Sequence, residues 1–191
     1  MNNQSLNELL ERLKISEISN SALSKLDVSN TRYIKDLKVN LSKTLRSDKL
    51  DEKANILVAL SIASNQKNNY LIDFFSDEAK EIGANDEEIA EAIACSSLLA
   101  ANNVFYRFRH FLNDDEYNRI PAGIKMNIML NPATGKKTFE LMSLAVSAVN
   151  GCEQCVKSHE QSLINLGFTK EEIFEGVRTA SIVISMDKII Y

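Results

Sequence analysis

The chain has 191 residues, 45% of them hydrophobic and 25% charged, with a formal net charge of −4. That length suffices for one domain with a sizeable core, or for two small, tightly packed halves. The Lys and Arg residues are dispersed rather than gathered into a stripe, which excludes nucleic acid as a main partner.

Glycine (6) and proline (2) are scarce and tryptophan is absent, so few sharp turns are available and long helices are favoured. The opening residues Met1 to Arg12 lack a cationic stretch followed by an apolar run, and so do not read as a signal peptide. No apolar segment approaches the roughly 20 residues needed to span a bilayer. A cytoplasmic location without membrane contact is therefore expected.

Leu6, Leu9, Leu10 and Leu13 recur at helical spacing and predict an opening helix. A second helix is expected from about Thr31 to Leu45, with Ile34, Leu37 and Leu41 on one face. A third starts near Asp51 and carries Ile56, Leu57, Leu60 and Ala63. The next runs from Tyr70 to Ile82 and is stopped by Gly83. Asn85-Asp86-Glu87-Glu88 then caps a helix through Ile89, Ile93 and Ser97. Asp114-Asp115-Glu116 reads as a solvated loop, and loops are also expected at Pro121 and over Asn131 to Gly135. Alternation of the strand type is nearly absent, so the fold class is all-α.

Displacing the chain by 84 residues brings Leu57 onto Leu141, Gly83 onto Gly167, and Glu87-Glu88-Ile89 onto Glu171-Glu172-Ile173. Both halves then read helix, helix, glycine, acidic cap, helix. Cys152 falls on Asn68 and Cys155 on Leu71, so the first half has the scaffold without the thiols.

The chemistry concentrates in Asn150-Gly151-Cys152-Glu153-Gln154-Cys155-Val156-Lys157-Ser158-His159, which holds two of the three cysteines and one of the two histidines. On a helix, Cys152, Cys155 and His159 share one face. Two thiols that can close into a disulfide, with a base alongside, are the minimal set for dithiol redox chemistry. In the cytoplasm such a spacing points to catalysis or metal binding rather than a structural staple. Glu140, on the preceding helix, could orient His159 and stabilise its imidazolium if the two helices pack antiparallel. The helix dipole alone favours the earlier thiol as nucleophile. The need for a base within reach favours Cys155 as the attacking thiol and Cys152 as the resolving one.

Other readings of the same residues stay open. Two small cysteines can simply pack in a core beside a satisfied histidine. A zinc site could draw on Cys152, Cys155 and His159, with Cys95 and His110 as further contributors, although no second close pair is present. Cys95 lies on an apolar face with Ala92 and Leu99 and reads as a core residue. His110 fits a helix end that carries cations near its C-terminus.

At these residues the sequence resembles the alkyl hydroperoxidase D proteins of the carboxymuconolactone decarboxylase-like superfamily. Tyr33 to Ser42 resembles that family's opening helix, and Asn102-Asn103-Val104-Phe105-Tyr106-Arg107-Phe108-Arg109-His110 its central motif. Phe139-Glu140, Ala148 to Cys152, Cys155 and His159 resemble its active-site block. The likeness covers about residues 30 to 190. It divides the chain into an N-terminal helical extension (1–29) and one all-helical domain (30–191), whose halves span about 47–120 and 131–191.

The resemblance implies a helical bundle subunit of two similar halves, assembled as a homotrimer or homohexamer. It also implies lipoyl-linked reduction of organic hydroperoxides, with dihydrolipoamide as dithiol reductant and no cofactor or metal bound. A peroxiredoxin and a lipoyl protein would be its partners. By position, Glu140 and His159 match the proton relay, Cys155 the thiol that becomes a sulfenic acid, and Cys152 the proton donor that resolves it. One departure is Gln154, where the family commonly has histidine; glutamine can hydrogen-bond but carries no proton at neutral pH. A carboxymuconolactone-type decarboxylase, or a non-enzymatic redox-sensing or zinc-binding module, are the alternative functions.

Overall fold

The structure, a computed structural model, describes residues 3–29 and 31–191; residue 30, where the sequence sets the extension's boundary, lies outside them. The described residues form ten α-helices and one short 3-10 turn, with no strand. In chain order the helices are α1 (Gln4–Arg12), α2 (Ser21–Ser29), α3 (Arg32–Leu45), α4 (Glu52–Asn65) and α5 (Asn69–Glu81). They continue as α6 (Asp86–Leu112), α7 (Asp115–Arg119), α8 (Lys136–Val149), α9 (Glu153–Asn165) and α10 (Lys170–Asp187). The all-α expectation holds.

Helices α4 and α8 form the centre. Every residue of α4 from Ala54 to Ala63 is buried, as is every residue of α8 from Phe139 to Ser147, because both are apolar almost all round. They pack on each other. α5 and α6 lean on α4, α9 leans on α8, and α10 touches both central helices. Polar side chains inside this core are paired: Asn55 donates to the Thr44 carbonyl at 2.7 Å and accepts from the Thr179 hydroxyl at 2.5 Å. α10 approaches α8 closely at Gly176, where an added Cβ would lie 2.7 Å from Leu141 Cδ1.

The expected starts and stops follow their local chemistry. Asp51 accepts from the Ala54 amide and opens α4, and Asn85 and Glu88 form a reciprocal capping box on α6. Gly83 takes φ +88° just past α5, a left-handed position that glycine adopts without a Cβ penalty.

The offset of 84 residues holds for the bounds of the observed helices. Displaced by it, Glu52–Asn65 falls on Lys136–Val149, Asn69–Glu81 on Glu153–Asn165, and the first residue of α6 on the first of α10.

Three differences from expectation have clear reasons. Asp114 accepts from the Glu116 amide and starts the short helix α7, so the acidic run is a cap rather than a loop. α2, which has no expected counterpart, shows weak amphipathicity and buries only Leu23. α6 runs on to Leu112, and by length and composition it is the one described helix that could cross a membrane. Within the fold its buried residues pack on α4, α8 and α9.

The N-terminal helices are docked. Leu6, Leu9 and Leu10 of α1 are buried, and Arg12 grips Glu78 of α5 through two hydrogen bonds of 3.0 and 2.6 Å while lying over the Phe74 ring. The Asn20 amide, just before α2, reaches the backbone carbonyls of Ile189 and Tyr191.

Candidate active site

Helix α8 ends at Val149, Gly151 turns the chain at φ +70°, and α9 begins at Glu153. Cys152 therefore sits at the residue just before α9, not within it, and Cys155 lies in the first helical turn. The turn closes by backbone bonds from Gly151 N to Ala148 O (3.1 Å) and from Cys152 N to Ser147 O (3.0 Å). Cys152 and Cys155 are joined as a disulfide, with Cα atoms 5.3 Å apart. At Cys152 no side chain caps the helix, so the first-turn amides around Cys155 keep their partial positive charge for whatever the sulfur becomes.

α8 and α9 pack side by side, and this brings the third and fourth expected residues together. His159 Nδ1 lies 2.7 Å from Glu140 Oε2, both side chains only about a tenth exposed. A carboxylate can only accept, so Nδ1 carries the hydrogen and Nε2 is left as the acceptor.

A cavity of about 330 Å³ opens beside this pair. Helix α9 contributes Gln154, Cys155, Ser158 and His159; α6 contributes Leu99, Asn102 and Tyr106; the α7–α8 connector adds Met126 and Met129. Cys155 lines this space whereas Cys152, 1% exposed, does not. Gln154 lines it too, although a side chain one residue before Cys155 on an ideal helix would point about 100° away. At the start of α9 both reach the same space.

The turn that carries Cys152 is held by a chain of amides. Asn65 Nδ2 donates to Asn150 Oδ1 (3.0 Å), Asn150 Nδ2 to Asn103 Oδ1 (2.9 Å), and Asn103 Nδ2 to Ser147 Oγ (2.9 Å). Arg107 adds a 2.7 Å bond to the Asn150 carbonyl. The connector is fixed by Glu91, whose carboxylate accepts from the Ala133 and Thr134 amides at 2.8 and 2.7 Å.

Cys95 and His110 stand apart. Cys95 is fully buried 3.7 Å from the Ser143 hydroxyl, and burial pushes its thiol up to about 12, so it stays protonated and unreactive. His110 is exposed near the end of α6, with Nε2 3.8 Å from Glu153 Oε2. The two lie fifteen positions apart on one helix, about 22 Å along its axis, too far to serve one tetrahedral ion. Among the described residues, no group of three or more His, Cys, Asp or Glu is arranged to hold a metal.

The spacing of residues pointed to the thiols, His159 and Glu140 but not to the opposite wall. Met126 and Met129 come from a stretch without periodicity. Asn102 and Tyr106 belong to the motif on α6, four residues apart and so on one face, which was the available signal.

A model of the carboxymuconolactone decarboxylase family matches residues 115–190. Among similar curated proteins, an alkyl hydroperoxide reductase AhpD of Coxiella burnetii (strain RSA 493 / Nine Mile phase I) is 43% identical over 154 residues, covering 78% of this chain and 86% of that one. Proteins with the same name from Corynebacterium kroppenstedtii and Streptomyces griseus subsp. griseus are each 39% identical, covering 84% and 85% of this chain and 91% of theirs. With the helical fold and the CxxC site between α8 and α9, these likenesses establish that the chain belongs to the alkyl hydroperoxide reductase AhpD family.

Proposed function

We propose that this protein is a dithiol peroxidase that reduces organic hydroperoxides through Cys155 and Cys152. The observation that carries this reading is a disulfide-forming pair in which only Cys155 faces a mainly apolar cavity, next to a histidine oriented by a buried carboxylate. Family membership supports it, since the named relatives are alkyl hydroperoxide reductases.

In the dithiol form, His159 Nε2 takes the proton of Cys155 directly or through a water, and Glu140 stabilises the imidazolium. First-turn amides of α9 favour the thiolate. The thiolate attacks the distal oxygen of the peroxide, alcohol leaves, and Cys155 becomes a sulfenic acid. Cys152 protonates the leaving oxygen through the relay and then condenses with the sulfenic acid, releasing water and forming the disulfide. A reduced dithiol carrier reopens that bond by exchange. Dihydrolipoamide on a lipoyl protein is the reductant we propose, and a partner peroxiredoxin a second electron acceptor. A decarboxylase would have no use for the thiol pair.

The protein is proposed to work in the cytoplasm as a homotrimer or homohexamer. Val104, Phe111, Ile120 and Leu130 are each more than half exposed, apolar side chains suited to burial between subunits.

The decisive measurement is NADH oxidation in a coupled system of the protein, lipoamide, lipoamide dehydrogenase and cumene hydroperoxide. Turnover that needs every component is expected. Turnover only after a peroxiredoxin is added would make the protein a disulfide reductase rather than a peroxidase.

A further inference from the structure

Asn102 and Asn103 are neighbours on α6, both buried, with opposite hydrogen-bond standing. Asn103 is satisfied at both ends, by Ser147 and Asn150. Asn102, 4% exposed and lining the cavity beside Cys155, donates from Nδ2 to Met126 Sδ at 3.0 Å, while its buried Oδ1 has no partner. A buried amide oxygen without a donor is costly and uncommon in folded proteins. In the wall of a reaction cavity, it marks an acceptor whose donor arrives with the ligand. Oδ1 is itself closed off in the disulfide form; because the thioether that holds the other end is a weak acceptor, a turn of the amide about its last torsion brings the oxygen to the cavity when a donor arrives there.

We propose that Asn102 is the group that binds the hydroperoxide: its Oδ1 accepts the O–H of the distal peroxide oxygen and aims that oxygen at Cys155. This rests on the peroxidase reading above. As the Cys155 thiolate attacks, the S–O bond forms and the O–O bond breaks. Both electrons of that bond leave on the alkoxide, which takes its proton from Cys152 through the relay. The hydrogen of the distal oxygen is not transferred. It stays on that oxygen and becomes the hydrogen of the Cys155 sulfenic acid, so one hydrogen bond to Asn102 persists from substrate through transition state to product. When Cys152 condenses with the sulfenic acid, that oxygen departs as water and Asn102 Oδ1 is again without a donor. The disulfide form described here has this arrangement.

The test compares Asn102→Leu and Asn102→Ser with wild type, all prereduced. Leucine is close in size and leaves no unpaired polar atom, so the melting temperature should equal or exceed that of wild type. Reaction with cumene hydroperoxide, followed by stopped flow, should slow about 10- to 100-fold in Asn102→Leu, the usual effect of a lost hydrogen bond to substrate in a closed site. Serine keeps an acceptor oxygen and should recover part of that loss. Reaction of Cys155 with methyl methanethiosulfonate, which has no hydrogen-bond donor, should run at the wild-type rate in both variants. Wild-type peroxide rates in Asn102→Leu overturn the proposal, as does an equal loss with both reagents, which signals a disturbed thiol. Should the leucine variant not fold, Asn102→Ser decides by the same two rates. Failure of wild type itself to react with the peroxide overturns the parent reading, and is visible without any variant.

Discussion

The two halves of this protein use one backbone for opposite ends. At the offset of 84 residues, Glu140, Cys152, Cys155 and His159 coincide with Ile56, Asn68, Leu71 and Phe75, all buried. The turns between the paired helices are alike. Lys67 N bonds to Ser64 O and Asn68 N to Ala63 O, as Gly151 N does to Ala148 O and Cys152 N to Ser147 O. In the first half, Asn68 caps α5 by accepting from the Leu71 amide at 3.2 Å, and Lys67 endures the left-handed conformation at φ +58°. In the second half, the cap has become a thiol, the capped residue a second thiol, and the strained position a glycine. Three apolar core positions and one helix cap have been given over to a reactive cluster. A redox site thus sits on the same pattern of helices and turn bonds, at the cost of local packing and capping.

The sharpest break of this comparison is at the thiols. Cys155→Ser should lose peroxide reactivity entirely, whereas Cys152→Ser should react once and hold a sulfenic acid on Cys155 that a dimedone-type probe traps. Faster labelling of Cys152 in the first variant than of Cys155 in the second would invert their roles.

Next comes the relay. Replacing Glu140 and His159 by Ile and Phe copies the first half's core. Peroxide reactivity at pH 7 should fall by roughly 10²–10⁴, as for a lost acid–base group. Stability in urea should rise by about 1–4 kcal/mol, as often happens when a buried polar pair gives way to packed apolar residues. A less stable double variant would show that the two cores differ in shape as well as chemistry.

Capping effects should be smaller. Compared as reduced proteins, Cys152→Asn should gain about 0.5–2 kcal/mol by restoring a helix cap, and Asn68→Ala should lose more than that, because it removes the cap together with the Nδ2 bonds to Asp187 and to the Ile190 carbonyl. A Cys152→Asn protein no more stable than wild type by denaturant titration would mean that a cap at this turn contributes nothing.

The smallest effect is a pH dependence from a pair that the second half lacks, Arg12 of α1 with Glu78 of α5; the position matching Glu78 on α9 is Ser162. The Arg12 guanidinium holds the Glu78 carboxyl below its ordinary value. A carboxylate depressed by folding adds stability above its unfolded pKa, and loses it as pH falls through the folded one. The pair is partly exposed, so the contribution is about 1 kcal/mol or less. Amides of α1 should therefore exchange hydrogen faster, relative to their intrinsic rates, at pH 3 than at pH 6. Glu78→Gln should reduce that difference and leave the part that comes from Glu8, which Lys38 also holds below its ordinary value.

Much of this was legible in the residues alone, because helix ends are written locally. Asp51, Gly83, Asn85 and Gly151 each act on amides or torsions within a few positions. The chemical partners Cys152, Cys155 and His159 lie within one turn or two of each other, and Glu140 was reachable by assuming antiparallel helices. What escaped depends on distant contacts. α2 lacks a pronounced apolar face, and the connector bearing Met126 and Met129 has no period. Its course is set by Glu91, more than forty residues away, gripping the Ala133 and Thr134 amides. The orphaned oxygen of Asn102 is likewise invisible until its surroundings are known.

The amide chain from Asn65 through Asn150 to Asn103 has a consequence for how the site behaves over a catalytic cycle. In the cycle proposed above the thiols change oxidation state and His159 takes up and gives back a proton, but amides do neither at any physiological pH. The turn under Cys152 therefore hangs from groups indifferent to both protons and electrons. None of those groups responds to whether the sulfurs are free, oxidised or bridged, so the bonds that hold the turn do not have to be remade as the sulfurs change state.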